Sequence, residues 1–181
     1  MPETRTGNYW PSEAQETLLR AALLPGADAV EAWSAVRPGL DLERVDRPSR
    51  RLLPLLADNL RRLGIDDPLA DRLDAIRRDT ATRNRRRFDA GRRLLTALAE
   101  AGIATLMVKG GALIADKYGD IGLRPMSDLD VVVPTAQATA AIEALSCAGW
   151  SPRARITPSF IRMMHAVDLV ETGTAARCDL H

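Results

Sequence analysis

Apolar residues fall along this chain in two textures. Through the first hundred residues they recur at intervals of three and four, the spacing of an amphipathic helix. Ser12 is placed to N-cap a first helix that runs to Leu24 and stops at Pro25-Gly26. Asp28 to Val36 predicts a second short helix, with Val30, Trp33 and Val36 on one side and Arg37-Pro38-Gly39 as its end. A third covers Arg50 to Leu63 and carries Leu52, Leu53, Leu55, Leu56, Leu60 and Leu63, with Gly64 as its stop. Pro54 sits near its first turn, where a missing N–H costs little. Asp67-Pro68 opens a longer helix that reaches about Ala101, with Leu69, Leu73, Ile76, Phe88, Leu94, Leu95 and Leu98 at mostly helical spacing.

Beyond residue 100 short apolar runs alternate with helical segments. Leu106-Met107-Val108 predicts a strand that breaks at Lys109-Gly110-Gly111. A helix-like Ala112–Tyr118 follows, then a turn through Gly119 to Gly122. Arg124-Pro125-Met126-Ser127-Asp128-Leu129-Asp130 runs into the strand-like Val131-Val132-Val133. Thr135 to Ala148 reads as a helix with Ile142 and Leu145 inward, and Trp150 and a polar stretch lead to the apolar Phe160–Met164. Two short runs, Ala166–Val170 and Ala176–His181, flank a Gly173 turn and predict a hairpin. The expected organisation is α+β: a helical N-terminal domain over residues 1–100, then a mixed-sheet α/β core over 101–181.

Composition narrows the classes. With 46% apolar and 27% charged residues the chain has the balance of a soluble globular protein. Aromatics are only 4%, too few to furnish a base-stacking platform. No apolar run approaches the roughly 18 residues of a membrane-spanning helix, and the N-terminus lacks the apolar core of a secretory leader. Cys147 and Cys178 stand alone without metal-site spacing, so a reduced, cytoplasmic protein is expected. The net charge of +1 hides a local imbalance: Arg72 to Arg93 holds nine arginines against three aspartates. Such a run is ordinarily a solvated face. Its functional reading is an electropositive rim for polyphosphate or an RNA acceptor.

The chemistry concentrates between Thr105 and Val133. Asp128 and Asp130, two apart on a strand, point to one face with attachment points about 6–7 Å apart. Two carboxylates are what magnesium asks of a protein, the rest of its shell being water and substrate phosphate. Asp179 is the candidate third carboxylate, and alternation puts it on one face with His181. Gly110 and Gly111, after a strand and opening a helix, allow backbone N–H groups close to an anion. Lys109 and Arg124 are candidate cationic partners for phosphates, Ser127 a candidate hydrogen-bond donor to one. His165 and His181 read as structural rather than as metal ligands, since magnesium prefers oxygen.

This order of strand, Gly-Gly, helix, arginine, Asp-x-Asp, strand and later Asp resembles the nucleotidyltransferase superfamily related to DNA polymerase beta. Within it, LMVKGGALIADKYGDIGLRPMSDLDVVV is similar to an uncharacterised bacterial nucleotidyltransferase family, as are Asp179-Leu180-His181 and the leucine-rich helical region over 12–100. The superfamily's usual Gly-Ser is Gly110-Gly111 here, and Lys-Gly-Gly also resembles nucleotidyltransferase toxins of abortive-infection and toxin–antitoxin systems. Family members continue into further helices, so the resemblance implies a core truncated at its C-terminus. It further implies transfer of a nucleoside monophosphate from an NTP bound with Mg²⁺ or Mn²⁺ to an acceptor hydroxyl, releasing pyrophosphate. Asp128, Asp130 and Asp179 would be catalytic and metal-binding, with Lys109, Gly110, Gly111, Arg124 and Ser127 on the nucleotide. Small molecule, peptide hydroxyl and tRNA stand open as acceptors, as does the oligomeric state. Two rivals remain: a catalytically silent nucleotide-binding or regulatory module, and an RNA-binding helical protein whose aspartates are incidental.

Overall fold

A computed structural model describes residues 10–157 and 165–181; the apolar Phe160–Met164 lies outside them. Its contacts divide the chain into two compact units. One comprises the chain up to Thr80 together with Gly122–Arg124, the other Ala81–Ile121 with Pro125–His181.

The first unit is helical. Helix α1 (Glu13–Leu23) begins in a reciprocal cap: Ser12 Oγ accepts from the Gln15 amide while the Gln15 side chain accepts from the Ser12 amide. Helix α2 (Gly26–Val36) follows, then α3 (Arg47–Arg50), a four-residue turn held by Asp46 accepting from the Ser49 amide. Helix α4 (Leu53–Arg62) ends at Gly64, whose positive φ of 67° lets Ile65 N–H reach back to Leu60 O and its own N–H to Arg61 O. Leu18, Trp33, Leu53, Leu56, Leu60 and Leu73 are packed into one buried cluster. Within it, Asn59 Nδ2 donates to Ala21 O and Leu24 O at 2.8 Å each, satisfying carbonyls that the end of α1 leaves without partners.

The second unit is a five-stranded mixed sheet with helices. Helix α5 (Ala70–Glu100) contributes its second half, and the same glycine device ends it at Gly102, with Ile103 N–H bonded to Leu98 O. Strand β1 (Leu106–Val108), helix α6 (Lys109–Asp116), strand β2 (Leu129–Val132), helix α7 (Ala138–Cys147), and strands β3 (Trp150–Pro152), β4 (Val167–Glu171) and β5 (Arg177–Leu180) complete it. The spatial order is β1-β2-β5-β4-β3, with β2 and β5 parallel and every other neighbouring pair antiparallel. The β4–β5 hairpin is present, and the α+β fold class expected from the sequence is the one observed.

Alternation along the strands gives the sheet two unlike faces. Leu129, Val131, Leu169, Cys178 and Leu180 point to one side, where Ala90, Leu94 and Leu98 of α5 and Ala141 and Leu145 of α7 complete a buried core with Trp150. Buried in that way, each leucine contributes about 1.5–3 kcal/mol relative to exposure. The intervening positions, Asp130, Asp168, Arg177, Asp179, carry charge on the other side. The apolar face fixes the register, and the register places the charged residues.

Candidate active site on the polar face of the sheet

Three carboxylates stand in a row across three adjacent strands. Asp130 of β2 is in register with Asp179 of β5, and Asp179 with Asp168 of β4. Neighbouring strands lie about 4.8 Å apart, so the row is a line of side chains at strand spacing. Their surroundings then tell them apart. Asp168 is neutralised by two arginines, Arg177 Nη2 at 2.8 Å and Arg153 Nη1 at 3.0 Å. Asp130, only 6% exposed, takes Lys109 Nζ at 2.6 Å. Asp179 makes no hydrogen bond or ion pair among the described residues. Burial holds its carboxyl above the usual carboxylate range, and the charges of Asp128, Asp168 and Asp130 push it further the same way.

Lys109 owes its position to a sharp corner. Val108, the last residue of β1, is paired with Asp130, and Lys109 immediately opens α6 at φ 50°, a left-handed conformation uncommon for a residue with a side chain. Its ammonium is held in the charged form chiefly by the hydrogen bond to Asp130, with the charges of Asp179 and Asp128 adding to it. Gly110 and Gly111 follow, both buried in the first turn of α6, whose N-terminal amides have no side-chain cap. A Cβ at 111 would stand 2.5 Å from Met107 Sδ, so glycine there lets the helix close onto β1.

His181 joins this group. Its Nδ1 lies 3.1 Å from the backbone carbonyl of His165, which only accepts, so that nitrogen carries the proton. Its Nε2 sits 3.3 Å from Lys109 Nζ and 3.2 Å from Asp130 Oδ1. A ring nitrogen fixed by a backbone carbonyl is how proteins orient imidazole toward a metal. Ligand atoms of Asp130, Asp179 and His181 all lie within 4.8 Å of one another. Opposite ligands of a magnesium ion, at about 2.0–2.1 Å each, stand about 4.2 Å apart. Drawn in slightly from that spacing, the three side chains could hold a divalent cation, two oxygens suiting magnesium and the nitrogen widening the choice to manganese or zinc.

The remaining residues singled out in the sequence fall as follows. Asp128 lies just before β2 and is sensed by Asp179 and by Arg87 and Arg177, without entering the three-residue cluster. Ser127 is exposed, and its carbonyl accepts from Arg87 Nε at 3.4 Å. Arg124 belongs to the segment that clusters with the helical unit, and it has interactions of its own. Sequence reasoning missed Asp168 and Arg177, though their alternation with Val167, Leu169 and Cys178 was there to read. It also missed Asn84, wholly buried in the middle of the arginine run. Asn84 Nδ2 donates to Ile121 O at 2.7 Å and its Oδ1 accepts from Met126 N at 3.4 Å. The residue thus holds both ends of the loop that delivers Asp128.

No curated protein and no solved structure matches the chain. A family model described as uncharacterised nucleotidyltransferase matches residues 48–177, a span that takes in α4, α5, the whole of β1 to β4, and the corner carrying Lys109. The matched residues make up well over half of the chain, and the chain belongs to this uncharacterised nucleotidyltransferase family.

Proposed function

We propose that the polar face transfers a nucleoside monophosphate from an NTP to an acceptor hydroxyl. Family membership supports nucleotidyl transfer as the general role. The observation that carries the finer reading is the parallel register setting Asp179 beside Asp130, with Lys109 across from them. In the reaction the acceptor oxygen attacks the α-phosphorus, an O–P bond forms, and the α–β bridging P–O bond breaks. Pyrophosphate leaves with the electron pair. The acceptor proton passes to the Asp179 carboxylate, which burial and three neighbouring acids make more basic than usual, and then to solvent. Lys109 and the uncapped amides around Gly110 and Gly111 neutralise the triphosphate. Asp128, Asp130 and Asp179, with His181 beside them, would hold magnesium or manganese, which supplies further charge neutralisation on the phosphates and makes the acceptor oxygen more nucleophilic. Catalysis is then chiefly positioning and electrostatics. The reading includes a cytoplasmic setting, in keeping with two free cysteines; no helix among the described residues is long and apolar enough to cross a membrane.

A second reading, a catalytically silent nucleotide-binding module, is favoured by one contact. The Lys109 ammonium stands 2.6 Å from Asp130, where a cation would compete with it. Labelled NTP, Mg²⁺ or Mn²⁺ and candidate acceptors separate the two. The enzyme gives labelled adduct and pyrophosphate, and the Asp128→Ala/Asp130→Ala variant gives neither. Equal adduct from both proteins would defeat the catalytic reading, and nucleotide binding without pyrophosphate release would select the silent module.

A further inference from the structure

The stripe of α5 that carries Ala90, Leu94 and Leu98 onto the sheet continues one and two turns earlier as Arg87 and Arg83. Residues seven apart on a helix share a face. These arginines are therefore turned to the same side as the core rather than to a purely solvated one. With Arg86 and Arg93 they line a groove of about 510 Å³, closed by Ser127 and the Gly173–Ala176 turn. Among the described residues Asp89 is the only acid in its lining. Arg93 is committed to Glu171, at 2.7 and 2.8 Å. Arg87 is half-buried, yet its one hydrogen bond among the described residues is the long Nε contact to Ser127 O. Its remaining donors meet no acceptor among the described residues.

We propose that this groove seats the phosphodiester backbone of a single-stranded RNA, the acceptor of the transfer reaction; the acceptor role rests on the catalytic reading above. Burying a guanidinium without a bonded carboxylate is costly, and Arg83 repels Arg87 from alongside. An anion beside Arg87 relieves it. The triphosphate of the NTP already has its seat at Lys109, Gly110 and Gly111, none of which lines the groove. Arg83 to Arg87 spans about 6 Å of helix, room for more than one phosphate of a strand. Among the described residues no aromatic lines the groove, so recognition is of the backbone, with little sequence preference. Ser127 at the groove's rim is the neighbour of Asp128, which puts the strand beside the acidic row.

Fluorescence anisotropy of the full chain with a labelled 12-nucleotide RNA of mixed sequence, titrated from 50 to 200 mM salt, tests this. Contacts from Arg83, Arg86 and Arg87 predict a slope of about −2 in log affinity against log salt, or about a 20-fold loss over that range. Arg83→Gln/Arg86→Gln, both exposed positions, is expected to bring the slope to about −0.7. Arg20→Gln/Arg50→Gln removes the same charge elsewhere and is expected to leave the slope near −2. The proposal fails if RNA does not bind, if both double variants weaken it alike, or if Arg83→Gln/Arg86→Gln loses ATP binding while keeping RNA. RNA binding that persists in Asp128→Ala/Asp130→Ala supports the groove even where wild-type transfer is not found, an outcome that counts against the catalytic reading alone. Transfer to a small molecule by a chain that ignores RNA would do the reverse.

Discussion

Replacing Asn84 by leucine keeps the side chain's size and removes both bonds that hold the loop ahead of β2. The 2.7 Å bond to Ile121 O is of full strength, and the carbonyl it leaves is only partly buried, so water compensates some of the loss. The bond to Met126 N is long at 3.4 Å, but that amide is buried and would be stranded. A stranded buried group costs about 1–3 kcal/mol, a partly wetted one less, and the added apolar contact of leucine offsets some of the total. The net expectation is about 2 kcal/mol, close to 30-fold in the closing equilibrium of the loop. Hydrogen exchange read by mass spectrometry over residues 121–128 should show that acceleration. In urea the unfolding midpoint of the sheet-bearing unit should fall by about 1 M, for a slope near 2 kcal/mol/M. Asn84→Asp should be worse than Asn84→Leu, because it sets a carboxylate against the Ile121 carbonyl. If Asn84→Leu exchanges and unfolds like the wild type, those two bonds do not hold the loop and the account of how Asp128 is delivered is wrong.

Two further expectations concern titration. Arg93 donates two hydrogen bonds to Glu171 and, ahead of every other influence, holds its carboxyl below the usual range, with Thr174 assisting. A carboxyl depressed on folding stabilises the protein above its unfolded pKa of about 4.3 and stops doing so as pH falls through the folded value. The stability difference between wild type and Glu171→Gln should therefore shrink in acid, below about pH 4, in denaturant titrations at stepped pH. A constant difference down to pH 2 would contradict it. The Cys178 thiol is pushed up to about 12 by burial, with the Asp179 and Asp130 charges adding to it, whereas Cys147 is exposed. One thiol should react with a disulfide reagent at pH 8 in the native chain and two after unfolding.

The local parts of this architecture were legible because they depend on local rules. The α1 cap at Ser12, the glycine stop at Gly64 and the β4–β5 hairpin were all written in short windows of sequence. Strand β2 begins at Leu129, earlier than the valines alone indicate, because aspartate has poor strand propensity and only the pairing with Val108 and Asp179 draws Asp130 into the ladder. Strand β3 was hidden by Pro152, tolerable there because β3 is an edge of the sheet. Asp168 carries no local mark of function, and only register places it beside Asp179. Asn84 looked like one more polar residue on a charged helix, since nothing near it in sequence marks burial. The left-handed corner at Lys109 is likewise not written in residue type, because lysine has no preference for it.

The parallel pairing of β2 with β5 has a consequence for how the molecule is made. His181 and Asp130 are 51 residues apart in sequence, and His181 and Lys109 are 72 apart. Contacts so distant require loop closure before they return any stabilisation, and they slow folding relative to helices and hairpins. In a refolding experiment helical signal should thus recover first. Nucleotidyl transfer should return only with the slowest phase, in which the two strands zip together.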